Sequence, residues 1–266
     1  MSKIGSAIHE IQYMDQMANK DQWVNRIHPL VKFVLTCLYI GIVVSFNKYD
    51  LIGLLGMTVY PICMFNLADV SFADSLKRLK VVLPLVCIVG IFNPFFDKIP
   101  VTYMGIATTT GILSMITLMV KGILTVLASY LLIATTTIEK ICYGLSVIHV
   151  PQVLITQILL TYRYISLLLN EVHLITSAYS LRAPKQKGIH FKVWGTLTGQ
   201  LLLRSMDRAT VVYESMTLRG YEGNFSYMGR RVRFALSDIV YFVIWLGIFI
   251  LCRKVPIIWL AGSILR

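Results

Sequence analysis

Two arginines stand in similar settings, Ser180-Leu181-Arg182-Ala183 and Thr217-Leu218-Arg219-Gly220-Tyr221, each closing a helix-forming run. A cation in the last turn of a helix offsets the partial negative charge of the free carbonyls there, an effect worth ~0.3–1 kcal/mol. A pair of them at the ends of two long helices also suits two separate docking points on a two-part partner. Groupings that would do covalent or metal chemistry are missing from the sequence. It has no G-x-x-x-x-G-K-[ST] loop to cradle phosphates, no H-E-x-x-H metal site, no G-x-S-x-G elbow and no paired acidic motif of the kind a metal-dependent lipid transferase needs. Lys121 is the remaining residue of interest. It falls near the middle of an apolar run, where an ammonium needs a backbone carbonyl, a buried acid or a functional role.

The elements that position these residues belong to a very apolar chain. Of 266 residues, 56% are hydrophobic and only 14% charged, against about a quarter charged in a soluble domain. This is the composition of an integral membrane protein. Apolar runs at Leu30 to Phe46, Leu51 to Ala68, Val81 to about Phe96, Gly111 to Ala134 and Ile239 to about Leu251 predict five spans, each approaching the ~20 residues that cross a ~30 Å hydrocarbon core. A sixth, continuing through Trp259, stays open. Lys77, Arg78 and Lys80 mark a cytoplasmic side, and the breaks at Asn93-Pro94 and Ile99-Pro100 set an outer turn around Asp97 and Lys98. The first 29 residues lack the apolar core of a removable signal peptide, so the N-terminus is expected to be mature and cytoplasmic. Cys37, Cys63, Cys87, Cys142 and Cys252 are scattered singly in apolar runs and read as buried small hydrophobes.

Positive charge gathers late in the chain. Between residues 176 and 233 lie Arg182, Lys185, Lys187, Lys192, Arg204, Arg208, Arg219, Arg230, Arg231 and Arg233 against Asp207, Glu214 and Glu222, a large share of the net charge of +12. Such a segment belongs on the cytoplasmic side. Nucleic acid is set aside as a partner because no recognised binding motif accompanies the basic residues. Membrane lipid accounts for Arg230, Arg231 and Arg233. A helix is predicted from Pro151 to Ala183, stopped by Pro184 and ~48 Å long. Arg163 stands in the middle of its apolar stretch at a cost of ~2.5–3.5 kcal/mol in a bilayer, so we read the helix as interfacial and protein-buried rather than spanning. A second helix of ~36 Å is predicted from about Thr196 to Leu218, ended by Gly220. The expected fold is therefore all-α: a polytopic membrane protein with about five transmembrane helices and a cytoplasmic pair of long helices. Its regions are a four-span bundle over 1–135, a cytoplasmic or interfacial region over 136–235, and a last transmembrane helix over 236–266.

With these residues in place the chain resembles the transmembrane T component of energy-coupling factor (ECF) transporters, the importers of vitamins and transition metals. Arg26-Ile27-His28-Pro29-Leu30-Val31-Lys32 is similar to the family's R-x-D-P-x-x-K, with His28 where Asp is usual. Thr135-Thr136-Thr137, Leu145, Val150-Pro151, Arg163-Tyr164-Ile165 and Glu171 resemble the stretch leading into the family's coupling helices. The two short arginine motifs of those helices, usually Ala-Arg-Gly, correspond to Leu181-Arg182-Ala183 and Leu218-Arg219-Gly220.

The resemblance implies a non-catalytic scaffold in a prokaryotic cell membrane. Two ABC-type ATPases would take the two arginine motifs into grooves and pair them with acids. Their ATP-driven movement would pass to a small substrate-binding membrane subunit, with Lys121, Arg163 and Glu171 as structural or coupling support. The chain itself would bind no cofactor, nucleotide or metal, ATP being used by the partners. Two other readings are weighed against this one. A stand-alone metal or small-molecule permease would carry His, Asp or Glu inside its spans, yet His9, His28, His149, His173 and His190 lie outside them. A membrane-embedded lipid-modifying enzyme lacks its motifs. Met57, Met64, Met104, Met115 and Met119 read as lipid-facing filler or as an adaptable surface for substrate-binding partners.

Overall fold

The computed structural model describes residues 3–20, 22–70, 72–96, 100–103, 106–184, 188–223 and 234–254. In chain order they form α1 (Lys3–Ala18), α2 (Trp23–Arg26), α3 (Pro29–Ser45), α4 (Leu51–Gly56), α5 (Val59–Leu67), α6 (Phe72–Phe96), β1 (Pro100–Tyr103), β2 (Ile106–Thr109), α7 (Thr110–Thr135), α8 (Ile138–Val147), α9 (Gln152–Arg182), α10 (Phe191–Leu218) and α11 (Leu236–Lys254). The two strands make one small antiparallel hairpin, Pro100 opposite Thr109, in an otherwise helical protein. Two compact units result: Met1–Gln16 with Ile138–Arg231, and Met17–Thr137 with Val232–Arg266. The expected turn at Asp97 and Lys98, the open sixth span through Trp259, Met104, Lys185, Lys187 and the trio Arg230, Arg231 and Arg233 lie outside the described residues.

Among the described residues, α7, α9 and α11 are long and apolar enough to cross a membrane, and Pro29–Ser45 and Gly53–Leu67 are shorter apolar stretches. The 25-residue α6 contains the third predicted run. Length and composition thus admit α9 as well, and the expected burial against protein is not found: of its 31 residues only Ile155 and Thr156 are buried.

The run Leu51 to Ala68 is not one continuous helix, as expected, but two, α4 and α5, separated at Met57 and Thr58. Pro61 explains the break, because it has no N–H to give the carbonyl four residues back, that of Met57. Four of the carbonyls around the break find other donors. Leu54 O and Leu55 O accept from the N–H groups of Met57 (3.1 Å) and Thr58 (3.2 Å). The Cys252 thiol lies 3.7 Å from Gly56 O, and the Tyr39 hydroxyl donates to Met57 O at 3.0 Å. This is the accounting that irregular backbone at membrane depth requires.

Tyr39 also belongs to the aromatic core of its unit. Its ring lies 4.6 Å from that of Tyr60 and 5.2 Å from that of Phe249, and Tyr60 meets Trp245 edge-on at 4.8 Å. Met57 and Met64 are buried here, so they are neither lipid-facing filler nor part of a partner surface. Met64 Sδ accepts from the Tyr241 hydroxyl at 3.0 Å. Against α7, the helix α6 approaches closely through small residues. A Cβ on Gly122 would come within 3.1 Å of the Val86 side chain, and one on Gly90 within 3.2 Å of Met115.

Candidate functional site

The paired helices α9 and α10 carry the two arginine motifs. Arg182 is the last residue of α9, and the Ala183 N–H closes the turn onto Tyr179 O at 3.0 Å. Arg219 caps α10 at the start of a Schellman turn, in which Tyr221 N–H donates to Met216 O (2.9 Å) and Gly220 N–H to Thr217 O (2.9 Å). Gly220 has φ +83°, a left-handed conformation that glycine adopts without a Cβ penalty. These bonds occupy Met216 O and Thr217 O, so the guanidinium of Arg219 is not needed to cap those two carbonyls. Both motifs lead outward: Leu181 is 82% and Leu218 89% exposed, and Arg182 and Arg219 are exposed beside them.

α10 begins at Phe191, ahead of the expected Thr196 by more than a turn, because His190 acts as its N-cap and Nδ1 accepts from Lys192 N–H at 3.4 Å. The two helices run antiparallel. Glu171 of α9 pairs with Arg204 of α10, while Leu160 and Met216 share an apolar groove further along. From the Glu171–Arg204 crossing, Arg182 lies about 17 Å along α9 and Arg219 about 22 Å the other way along α10. The two motifs therefore sit at opposite ends of the pair. Arg163 lines a groove of about 780 Å³ between the helices together with Glu171, Arg204, Asp207 and Arg208, with Leu167, Leu168, Val211 and Val212 forming its apolar walls. Its charge is thus exposed in a groove that it shares with two acids and two further arginines.

The remaining candidates lie in the bundle. Lys121 of α7 donates to Phe46 O at 2.5 Å and Val44 O at 3.1 Å, the carbonyl end of α3. Lys32, near the start of α3, donates to Thr135 O at 2.9 Å at the carbonyl end of α7. α3 and α7 are therefore antiparallel helices, each supplying a lysine to the other's negative end. His28, fully buried, caps α3 through Nδ1, which accepts from Leu30 N–H at 3.2 Å. It stacks on Phe234, ring centroids 3.9 Å apart.

Asp238 is the residue that sequence reasoning missed. It is 2% exposed, and its carboxylate accepts from His28 N–H (3.1 Å) and Ala235 N–H (2.9 Å), satisfying the N-termini of α3 and α11 together. An acid three residues into an apolar run, after Ala235, was the available signal. In the other unit, burial, with the Glu139 charge adding to it, pushes the Cys142 thiol up and keeps it a poor nucleophile. Among the described residues no group of three His, Cys, Asp or Glu side chains converges on a common point.

Residues 20–228 match the family model described as CbiQ, cobalt transport protein. Among curated proteins, the chain is 24% identical over 223 residues to the energy-coupling factor transporter transmembrane protein EcfT of Leuconostoc gelidum, covering 76% of this chain and 81% of that one. It is 30% identical over 117 residues to the nickel permease LarQ of Lactiplantibacillus plantarum, a match spanning 42% of each chain. An uncharacterized protein of Methanocaldococcus jannaschii is 25% identical over 250 residues, 88% of this chain and 85% of its own length.

Proposed function

We propose, because the chain belongs to the CbiQ family of cobalt transport proteins, that it is the transmembrane coupling subunit of an ECF-type importer in a prokaryotic cell membrane, with its N-terminus cytoplasmic. In this reading Arg182 and Arg219 dock two ABC-type ATPases, and the α9–α10 pair carries their movement to a small substrate-binding membrane subunit. The cargo is a vitamin or a transition metal, and the names of the family and of LarQ favour the metal, cobalt or nickel. The chain works as a scaffold and leaves ATP to its partners.

One observation carries the reading. Each arginine stands beside a leucine more than four-fifths exposed, at opposite ends of a crossed helix pair, and the Schellman turn already satisfies Met216 O and Thr217 O near Arg219. A dipole role alone is worth ~0.3–1 kcal/mol, and an exposed leucine adds nothing to it. A desolvated anchor paired with an acid loses ~2–5 kcal/mol when one charge is reversed. Arg182→Glu, Arg219→Glu and the double variant are measured for ATPase co-purification and substrate uptake, at equal amounts of protein in the membrane. The double variant is expected to lose both, with partial rescue by an acid-to-Arg change in the ATPase groove. Unaltered assembly and uptake in the double variant rule the docking role out.

A further inference from the structure

α3 and α11 run parallel and are tied at both ends, by Asp238 to His28 N–H at their starts and by Arg253 Nη2 to Ser45 Oγ, 3.0 Å, at their ends. One face of α3 is left open between those ties. Val34, Cys37, Leu38, Gly41 and Ser45 recur at helical spacing and line a groove of about 410 Å³ that ends on Arg253. At Gly41 the face is open, since a Cβ there would meet nothing within 4 Å. From Val34 to Ser45 the groove runs about 16 Å along the helix at 1.5 Å per residue, against ~15 Å for one leaflet's half of a ~30 Å hydrocarbon core. The Arg253 guanidinium lies 5.7 Å from the Phe46 ring centroid and uses one nitrogen on Ser45; among the described residues no acid pairs with it. Lys254 is the last residue of α11 and is also exposed.

We propose that this groove binds one anionic phospholipid of the leaflet in which α3 ends, its phosphate on Arg253 and Lys254 and one acyl chain along the Gly41 face. The fit rests on charge and length together. The cations at the boundary have no described acid to neutralise them, and the apolar groove beneath them has the reach of one leaflet. An interfacial arginine that only snorkels also favours an anionic headgroup but is indifferent to the groove below, so the groove-filling variants separate the two cases.

The full-length chain in neutral detergent is offered phosphatidylglycerol and phosphatidylcholine in equal amounts, and retained lipid is counted by native mass spectrometry. One phosphatidylglycerol is expected to be retained in preference to phosphatidylcholine. Arg253→Gln is expected to lower its retention about fivefold, the worth of one interfacial cation, whereas Arg253→Lys keeps most of it. Gly41→Leu narrows the groove and lowers retention of both lipids, and Cys37→Phe on the same face repeats that arm should Gly41→Leu fail to fold. Equal retention of the two lipids by the unaltered chain overturns the proposal. So does undiminished phosphatidylglycerol on Arg253→Gln or on a folded groove-filling variant. Displacement by inorganic phosphate overturns the lipid assignment in favour of a plain anion site.

Discussion

Lys121 Nζ stands 2.5 Å from Phe46 O, so a cation from the middle of α7 closes the carbonyl end of α3. Lys32 does the same for α7 at Thr135 O, 2.9 Å away. An ammonium in an apolar run is costly unless it meets such acceptors, and each helix here supplies the acceptors that the other's lysine needs. Lys121→Met leaves the last carbonyls of α3 short of a donor and is expected to cost about 1–3 kcal/mol. Lys121→Glu, which sets a carboxylate against those carbonyls, is expected to cost more. Thermal midpoints of the detergent-solubilised chain test the order. A Met variant as stable as the unaltered chain shows that the charge is incidental.

The break between α4 and α5 makes a sharper test. Tyr39→Phe removes the donor to Met57 O, a loss of about 0.6–2 kcal/mol for an interhelical hydrogen bond in a membrane. Pro61→Ala restores an N–H four residues on, able to donate to that same carbonyl. The double variant Tyr39→Phe with Pro61→Ala is therefore expected to be more stable than the sum of the two single changes. Strict additivity in the cycle would mean that Pro61 and Tyr39 do not share the carbonyl.

Asp238 joins two helix starts, and its two oxygens serve different donors. Asp238→Ala strands both the His28 and the Ala235 N–H groups and is expected to cost about 2–4 kcal/mol, given ~1.5–3 for a hydrogen bond to a charged group. Asp238→Asn keeps one oxygen acceptor and is expected to fall between. Urea titration of the solubilised chain separates them, and equal stability of the Ala and Asn variants would remove the double-capping role.

The elements that announce themselves in the sequence are those whose ends have a local cause. Pro184 and Gly220 stop α9 and α10 within a residue or two of the predicted ends, and the apolar runs around Leu113 to Leu131 and Tyr241 to Phe249 lie inside α7 and α11. Two helix starts depend on histidine in place of the usual Ser, Thr, Asp or Asn. His190 carries α10 back across Gly195, a residue that argues against helix, and His28 opens α3. The split at Met57 was not legible because Pro61 alone predicts a kink. That it becomes a clean break, with Met57 O and Gly56 O given new donors, depends on Tyr39 and Cys252, residues 22 and 191 positions away from Pro61 in the chain. The arginine motifs could be read as helix ends; their outward leucines and opposite placement needed the antiparallel crossing at Glu171 and Arg204.

The Glu171–Arg204 crossing can be tested by exchanging its charges. Arg204 is 55% and Glu171 19% exposed in their side chains, and a pair so placed is worth only about 0.2–1 kcal/mol to stability. Its role in the proposed function is geometric, since it pins where α9 and α10 cross and hence where their arginine ends point. Arg204→Glu should therefore lower the thermal midpoint little yet reduce substrate uptake several-fold, with both ATPases still co-purifying. The swap Glu171→Arg with Arg204→Glu rebuilds the pair in reverse and should return uptake toward the unaltered level. If the single change spares uptake, the pair is surface decoration. If the swap loses uptake as fully as the single change, the charges act on something other than each other, with Arg163, Asp207 and Arg208 of the same groove the nearest candidates.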